Sequence, residues 1–274
     1  MAMGGTEVHD LWSAAVGDTF RVFVGHCGPD PQGVLFVTDA NGLFGLTVDT
    51  VRLMQIPALV PSLVIVGVGY PDADTVSDTV GIRVRDLTPT PSSYFEASGR
   101  ADDFIEFIAG ELRPWLIDRF PAATDHVTYF GHSLGGLFGS YVLVSATATF
   151  DRYILSSPSL WWDHHVIFDL ERRHRRAGSL DTDVFFGIGA LETDAGRRLE
   201  ASNLPDGHPA KPPSSHLDMV DDMRRFIAQL ASRNDPTLNV RAIEAADEFH
   251  ATVPGIALSR ALRSFYPLHG ERTA

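Results

Sequence analysis

The sequence predicts an α/β protein: a mostly parallel central sheet flanked by helices, with long loops over one edge. Three observations carry that reading. Short apolar, strand-like runs alternate with amphipathic runs along most of the chain, the pattern that builds a parallel sheet covered on both faces. The run Ser62–Val68 (SLVIVGV) is continuously apolar and rich in β-branched residues, as a strand buried on both sides must be. The 274 residues are 44% hydrophobic and 21% charged, enough to bury a sizeable core, and no linker, repeat or low-complexity tract divides them. One domain over residues 1–274 is the expectation.

The elements follow in order. Thr19–Val24 (TFRVFV) and Gly33–Thr38 (GVLFVT) read as strands joined across a Gly/Pro turn, hence as a hairpin. Leu43–Gln55 has apolar residues at helical spacing, and Ser62–Val68 is the next strand. In Ala101–Phe120, the residues Phe104, Ile105, Ile108, Leu112 and Trp115 share one helical face. Val127–Phe130 is a short strand, and Leu134–Ser145 an apolar helix. Arg152–Ser156, Asp183–Ile188 and Asn239–Ile243 read as strands; Asp163–Arg176, Leu217–Ser232 and Pro254–Phe265 read as helices. Two stretches, Tyr70–Gly99 and Glu192–Ser215, exceed ordinary connections of about 4–6 residues. Both leave the ends of predicted strands, where open α/β sheets place ligands, and are expected to cover a site.

Charge and composition exclude several function classes. With 22 basic and 35 acidic residues the net charge is −13, the wrong sign for phosphate backbones or anionic lipid surfaces. No apolar run reaches the roughly 20 residues of a membrane span. The opening MAMGGTEVHD lacks the basic and apolar regions of a secretory signal, so a cytoplasmic protein is expected. A single cysteine, Cys27, rules out an internal disulfide and a multi-cysteine zinc site. The acids Asp72, Asp74 and Asp78 lack the glycine and terminal glutamate of a calcium loop, and the adjacent His164 and His165 cannot share one helix face. No metal or cofactor is implied.

The strongest signal is Gly131-His132-Ser133-Leu134-Gly135-Gly136, a G-x-S-x-G set between a predicted strand and a predicted helix. A serine nucleophile must stand on a sharp strand-to-helix turn, and flanking glycines let strand and helix approach. The helix start behind it offers N–H groups and a positive dipole end to an oxyanion. Such a serine needs a base and an acid, in chain order Ser, acid, His. Of the seven histidines after Ser133, His250 follows the last predicted strand and precedes the last helix, where the base belongs. Glu192 and Asp194 both follow Asp183–Ile188. Glu192 is nearer the strand end and has the longer reach, so it is the favoured acid, while Asp194 is expected to cap a helix starting near Ala195.

These residues, with the blocks Leu35–Asn41 (LFVTDAN), Val66–Pro71 (VGVGYP), Arg85–Pro89 (RDLTP) and Ser156–Trp162 (SSPSLWW), resemble the putative-esterase family of α/β hydrolases. That family includes esterase D, feruloyl esterases, mycobacterial mycolyltransferases and enterobactin esterases, and the likeness runs over roughly Val22–Tyr266. The resemblance implies an α/β-hydrolase fold, a Ser133–Glu192–His250 triad, and an oxyanion hole from the amides of Leu134 and Asn41. Relatives often carry Asp-Gly where this chain has Asp39-Ala40, beside the second donor. It also implies a small-molecule ester substrate, which in siderophore esterases is anionic and held by arginine and aromatic groups. Arg85, Tyr94, Trp161 and Trp162 are candidates for that role; packing of the tryptophans, and a salt bridge from Arg85 to Asp86, are the competing readings. Acyl transfer to an alcohol, and ligand binding without catalysis, are the alternative functions.

Overall fold

A computed structural model describes residues 3–93, 95, 97–121, 123–175, 180–205 and 218–268. Its eight strands, among the described residues, are β1 (Thr6–Ser13), β2 (Asp18–Cys27), β3 (Val34–Val37), β4 (Leu63–Gly69), β5 (Val127–His132), β6 (Arg152–Ser156), β7 (Thr182–Gly189) and β8 (Leu238–Ala245). They form one sheet in the order β1-β2-β4-β3-β5-β6-β7-β8. β3 to β8 run parallel, while β2 is antiparallel to β4 and to β1. The mostly parallel sheet is as expected from the alternation.

The expected hairpin is not. β2 and β3 are not neighbours, because β4 lies between them, and the hairpin partner of β2 is β1. The Gly/Pro turn after Cys27 therefore begins a crossover. β1 carries Glu7, His9 and Asp10 among its apolar residues and is an edge strand half open to solvent, so its sequence lacks a buried strand's run.

Period-two alternation assigns the strand side chains to two cores. Leu35, Val37, Ile65, Phe130, Ile154 and Phe185 face one layer, made by α1 (Ala40–Gln55) and α9 (Pro254–Phe265). Val34, Phe36, Val64, Val66, Tyr129, Tyr153 and Phe186 face the other. That second layer holds α2 (Val80–Leu87), α3 (Ala101–Glu106), α4 (Arg113–Arg119), α5 (Leu134–Ser145), α6 (Trp162–His174) and α8 (Met219–Ala231). α5 is apolar around nearly its whole circumference and is buried along almost its entire length. α3 and α4 are joined by a π-helical stretch, Phe107–Leu112, just before Pro114, which has no N–H to donate to the ladder. Asp163, His164 and His165, expected in a regular helix, form a left-handed turn at the start of α6, with φ of 44°, 55° and 64°.

Both long segments leave β4 and β7 as expected, but each contains a helix: α2 in the first and α7 (Asp194–Ser202) in the second. The predicted helix limits at Arg176 and Leu217, and positions 206–215 of the second segment, lie outside the described residues. No helix among the described residues is long and apolar enough to cross a membrane.

The turn from β5 into α5 is closely packed. A Cβ added to Gly131 would lie 2.4 Å from both the Gly135 carbonyl oxygen and the Tyr129 hydroxyl, and the Tyr129 hydroxyl itself donates to that carbonyl at 2.6 Å. Two backbone segments and one phenol fill the space a side chain would need. Gly131→Ala is therefore expected to lower stability by about 1–3 kcal/mol in urea unfolding, the usual range for overpacking. Gly81, exposed in α2 with nothing near its missing Cβ, is the control: Gly81→Ala should stabilise by about 0.4–1 kcal/mol. Equal effects of the two would show that close packing at the turn is not what Gly131 serves.

Candidate active site

Five residues of the site follow the carboxyl ends of parallel strands: Asp39 after β3, Ser133 after β5, Ser157 after β6, Glu192 after β7 and His250 after β8. Ser133 sits at φ 59°, ψ −117°, a conformation few non-glycine residues adopt. Both of its backbone polar groups are held. Its N–H donates to the Ser156 carbonyl at 2.9 Å, and its carbonyl accepts from the amides of Ser159 and Leu137, both at 3.0 Å. Its Oγ lies 3.3 Å from the hydroxyl of the buried Ser159.

Glu192 is fully buried in the turn after β7. Its Oε2 is 2.6 Å from His250 Nδ1, and its Oε1 accepts from the Ser157 hydroxyl at 2.5 Å and the Gly189 amide at 2.9 Å. Burial alone would raise its pKa. The bonds from His250, the charge it gains when protonated, and the bonds from Ser157 and Gly189 outweigh burial and hold the carboxyl below the ordinary glutamate value. An ionised carboxylate can only accept, so Nδ1 carries the proton of this bond, and Nε2 is the ring nitrogen turned away from Glu192. Asp194 is elsewhere: in the first turn of α7, bonded to Arg198 at 2.9 Å. The cap expected from Asp194 is made by Thr193, whose side chain accepts from the Gly196 amide. Asp194 lies just inside the helix, where a negative charge suits the dipole.

Leu134 and Asn41 are in the first turns of α5 and α1, where helix N–H groups lack carbonyl partners. The two helix starts touch: a Cβ on Gly135 would lie 2.5 Å from Thr38 Oγ1 and 3.3 Å from Asp39 Oδ2. The Asn41 side chain accepts from the Tyr70 amide and donates to the carbonyls of Tyr70 and Ala73, fixing the chain after β4 to the start of α1. Asp39, at φ 55°, caps no amide of α1 with its side chain. Its carboxylate is gripped by Arg83 of α2 through two bonds of 2.7 and 2.6 Å, both groups buried. No sequence motif singled out Arg83, and only the crossing of α2 over the end of β3 pairs it with Asp39.

His132 was visible only as the variable position of the elbow. Its ring stands 4.5 Å from that of His250, and its Nδ1 is 3.0 Å from Ser156 Oγ. Burial, then the positive charges of a protonated His250, Arg83 and Arg197, push its pKa well below the ordinary histidine value. It is a neutral neighbour of His250.

The proposed substrate contacts divide. Arg85 makes two bonds to the buried Asp86 and a third to Asp18 at 2.7 Å, so the salt-bridge reading describes its guanidinium. Trp162 is 2% exposed; its indole donates to the Thr90 carbonyl at 3.1 Å and its ring stacks on Phe95. It is a packing residue. Trp161 is partly buried beside it, and Tyr94 lies outside the described residues.

The Asp39–Arg83 pair and His132 can each be tested. Arg83→Met leaves the Asp39 carboxylate buried without its partner and should cost about 3–5 kcal/mol in urea unfolding; a loss under 1 kcal/mol would mean that the pair does not hold this corner. For His132, the native pKa is depressed, so the unfolded chain binds the extra proton first. Its contribution to stability is full above about pH 6.5, the ordinary histidine value, and falls as pH drops below it toward the native pKa. His132→Asn should flatten the slope of stability against pH in that window. An unchanged slope would contradict a depressed native pKa at His132.

Residues 21–236 match the putative esterase family. The chain is 30% identical to the ferri-bacillibactin esterase BesA of Bacillus subtilis, with 97% of this chain and 91% of that protein covered. It is 34% identical to the siderophore enterobactin esterase of Emericella nidulans, covering 82% and 79%. Among solved structures, the BES protein from Bacillus cereus superposes with a TM-score of 0.78 at 26% identity, covering 96% of this chain and 95% of that one. The siderophore hydrolase EstB from Aspergillus nidulans gives 0.81 at 24% identity, covering 98% of each chain, which speaks to the fold. With the elbow serine and the Glu192–His250 pair on the expected strand ends, this chain belongs to the putative esterase family.

Proposed function

We propose that the protein is a cytoplasmic serine esterase that hydrolyses carboxylic esters of the siderophore class through an acyl-enzyme. The observation that carries the reading is the 2.6 Å contact between His250 and the buried Glu192, with the His250 ring 4.5 Å from that of His132, the residue before the strained elbow serine. Ser133 Oγ attacks the ester carbonyl while His250 Nε2 takes its proton. The imidazolium that forms keeps its Nδ1–H on Glu192, whose negative charge stabilises it. The amides of Leu134 and Asn41 receive the oxyanion; they are fixed before reaction, so little reorganisation opposes charge development. His250 then gives its proton to the leaving alcohol, and the same nitrogen deprotonates the water that releases the acid.

The substrate class is supported by the relatives, named for ferri-bacillibactin and enterobactin. Of the four proposed contacts, Trp161 is the one retained as a wall for the substrate, two residues beyond Ser159 and only partly buried. Arg85 is held by Asp86 and Asp18, and Trp162 by Thr90 and Phe95. The lone buried thiol of Cys27 fits a reducing compartment.

Fluorophosphonate labelling and a panel of esters, including a catecholate trilactone and feruloyl esters, test the reading together. Ser133→Ala should keep its melting temperature and lose both labelling and turnover; retained turnover would sink the nucleophile assignment. Glu192→Gln should lower kcat by roughly 10⁴-fold, as when other triad acids lose their charge, and Asp194→Asn far less. A larger loss in Asp194→Asn would reverse the choice of acid.

A further inference from the structure

We propose that Ser157 is a positioning residue for ester hydrolysis, its hydroxyl fixing the rotation of the Glu192 carboxylate that keeps Oε2 on His250. The inference rests on the esterase reading and concerns how its acid is held. The last torsion of a glutamate side chain is broad, so one bond from His250 leaves the carboxylate free to swing. Oε1 is the handle that stops it. The Gly189 amide on that oxygen belongs to the same turn as Glu192, whereas Ser157 comes from the neighbouring strand end and ties the carboxylate to the rest of the site. At 2.5 Å from an ionised acceptor, this is a short, charge-assisted bond between two fully buried groups.

The backbone around Ser157 is built to hold that hydroxyl still. Ser157 has φ 40°, a left-handed conformation in which glycine would be the easy choice, yet the residue carries a side chain. Its amide donates to the Gly187 carbonyl of β7 at 2.7 Å. On either side, the Ser156 carbonyl and the Ser159 amide bond the backbone of Ser133. The segment after β6 thus grips the nucleophile with its main chain and the acid with one side chain, linking elements that are otherwise two strands apart. Pro158 between them limits its play, and its Cα would lie 2.8 Å from a Cβ on Gly136. In the transition state His250 becomes a cation and pulls on Oε2. A carboxylate anchored at Oε1 answers without turning.

The test compares Ser157→Ala with Ser157→Gly, which both delete the hydroxyl while only the second relieves the positive φ. In both, kcat should fall roughly 10–100-fold with KM within twofold of the parent, the effect of losing one hydrogen bond to a charged group. The downfield NMR resonance of the His250 Nδ1 proton should shift or broaden in both. In a Glu192→Gln background, Ser157→Gly should cost no further activity. A parent-like kcat in Ser157→Gly would show that only the backbone matters and would overturn the proposal, as would losses that simply add in the double variant. If Ser157→Ala fails to fold, the unstrained Ser157→Gly and its double variant decide alone. Fluorophosphonate labelling of the parent separates the two levels: an unlabelled parent defeats the esterase reading, while a labelled parent with a kcat insensitive to Ser157 defeats only this inference.

Discussion

The site depends on one backbone constraint, the positive-φ turn at Ser133. A strained residue persists only where its surroundings over-determine it. Here they do so through the main chain at and just beyond the end of β6, where Ser156 accepts from Ser133 and Ser159 donates to it, and through Tyr129, which donates to the carbonyl of Gly135. The parallel register supplies the partner: His132 stands opposite Ser156 in β5 and β6, so the strand end that follows is delivered beside the elbow. Once Ser133 is held there, Leu134 must open α5 and the amides of its first turn face the same corner as the start of α1.

Around that turn the molecule buries charge and satisfies each buried acid with named donors. Asp39 has Arg83, Asp86 has Arg85 and Tyr70, and Glu192 has His250, Ser157 and the Gly189 amide. The balance differs among them. At Glu192 the bonds outweigh burial and the pKa falls; at Asp86 burial outweighs the bonds from Arg85 and Tyr70 and the pKa rises. Arg83 is raised, since the charge and bonds of Asp39 exceed the effect of its own burial. Buried pairs of this kind add little net stability, but removing one partner is costly. Their use here is geometric: they fix where a helix start, a strand end and an imidazole stand relative to one another.

The candidate site was legible in the sequence as far as its motif carries its own structural context. Gly131, Ser133 and Gly135 are spaced for a strand-to-helix turn, and the order of strands along the chain places Glu192 and His250 at later strand ends. Of the two carboxylates after β7, the longer side chain nearer the strand end, Glu192, is the one on His250, while Asp194 pairs with Arg198. The residues behind them were not. Ser157, Ser159 and His132 lie in the runs SSPSLWW and GHSLGG, yet nothing in a linear pattern says that a serine hydroxyl meets a carboxylate 35 residues away. Arg85 and Trp162 show the converse: residue types suited to an anionic aromatic ligand, taken up by Asp86, Asp18 and Thr90 instead.

The sequence by itself determined the α/β class, most helices and strands, the elbow, and the residues at the strand ends, because each is written in local periodicity or in a short motif whose physics is local. Tertiary structure decided the strand order, since inserting β4 between β2 and β3 is a matter of long-range pairing that both strands' alternation would equally allow. It decided that β1 is a strand, because an edge strand half open to water needs no continuous apolar run. It placed α2 so that Arg83 closes on Asp39, and β6 beside β7 so that Ser157 reaches Glu192. Those bonds join segments far apart in the chain, and their partners are chosen by packing rather than by spacing.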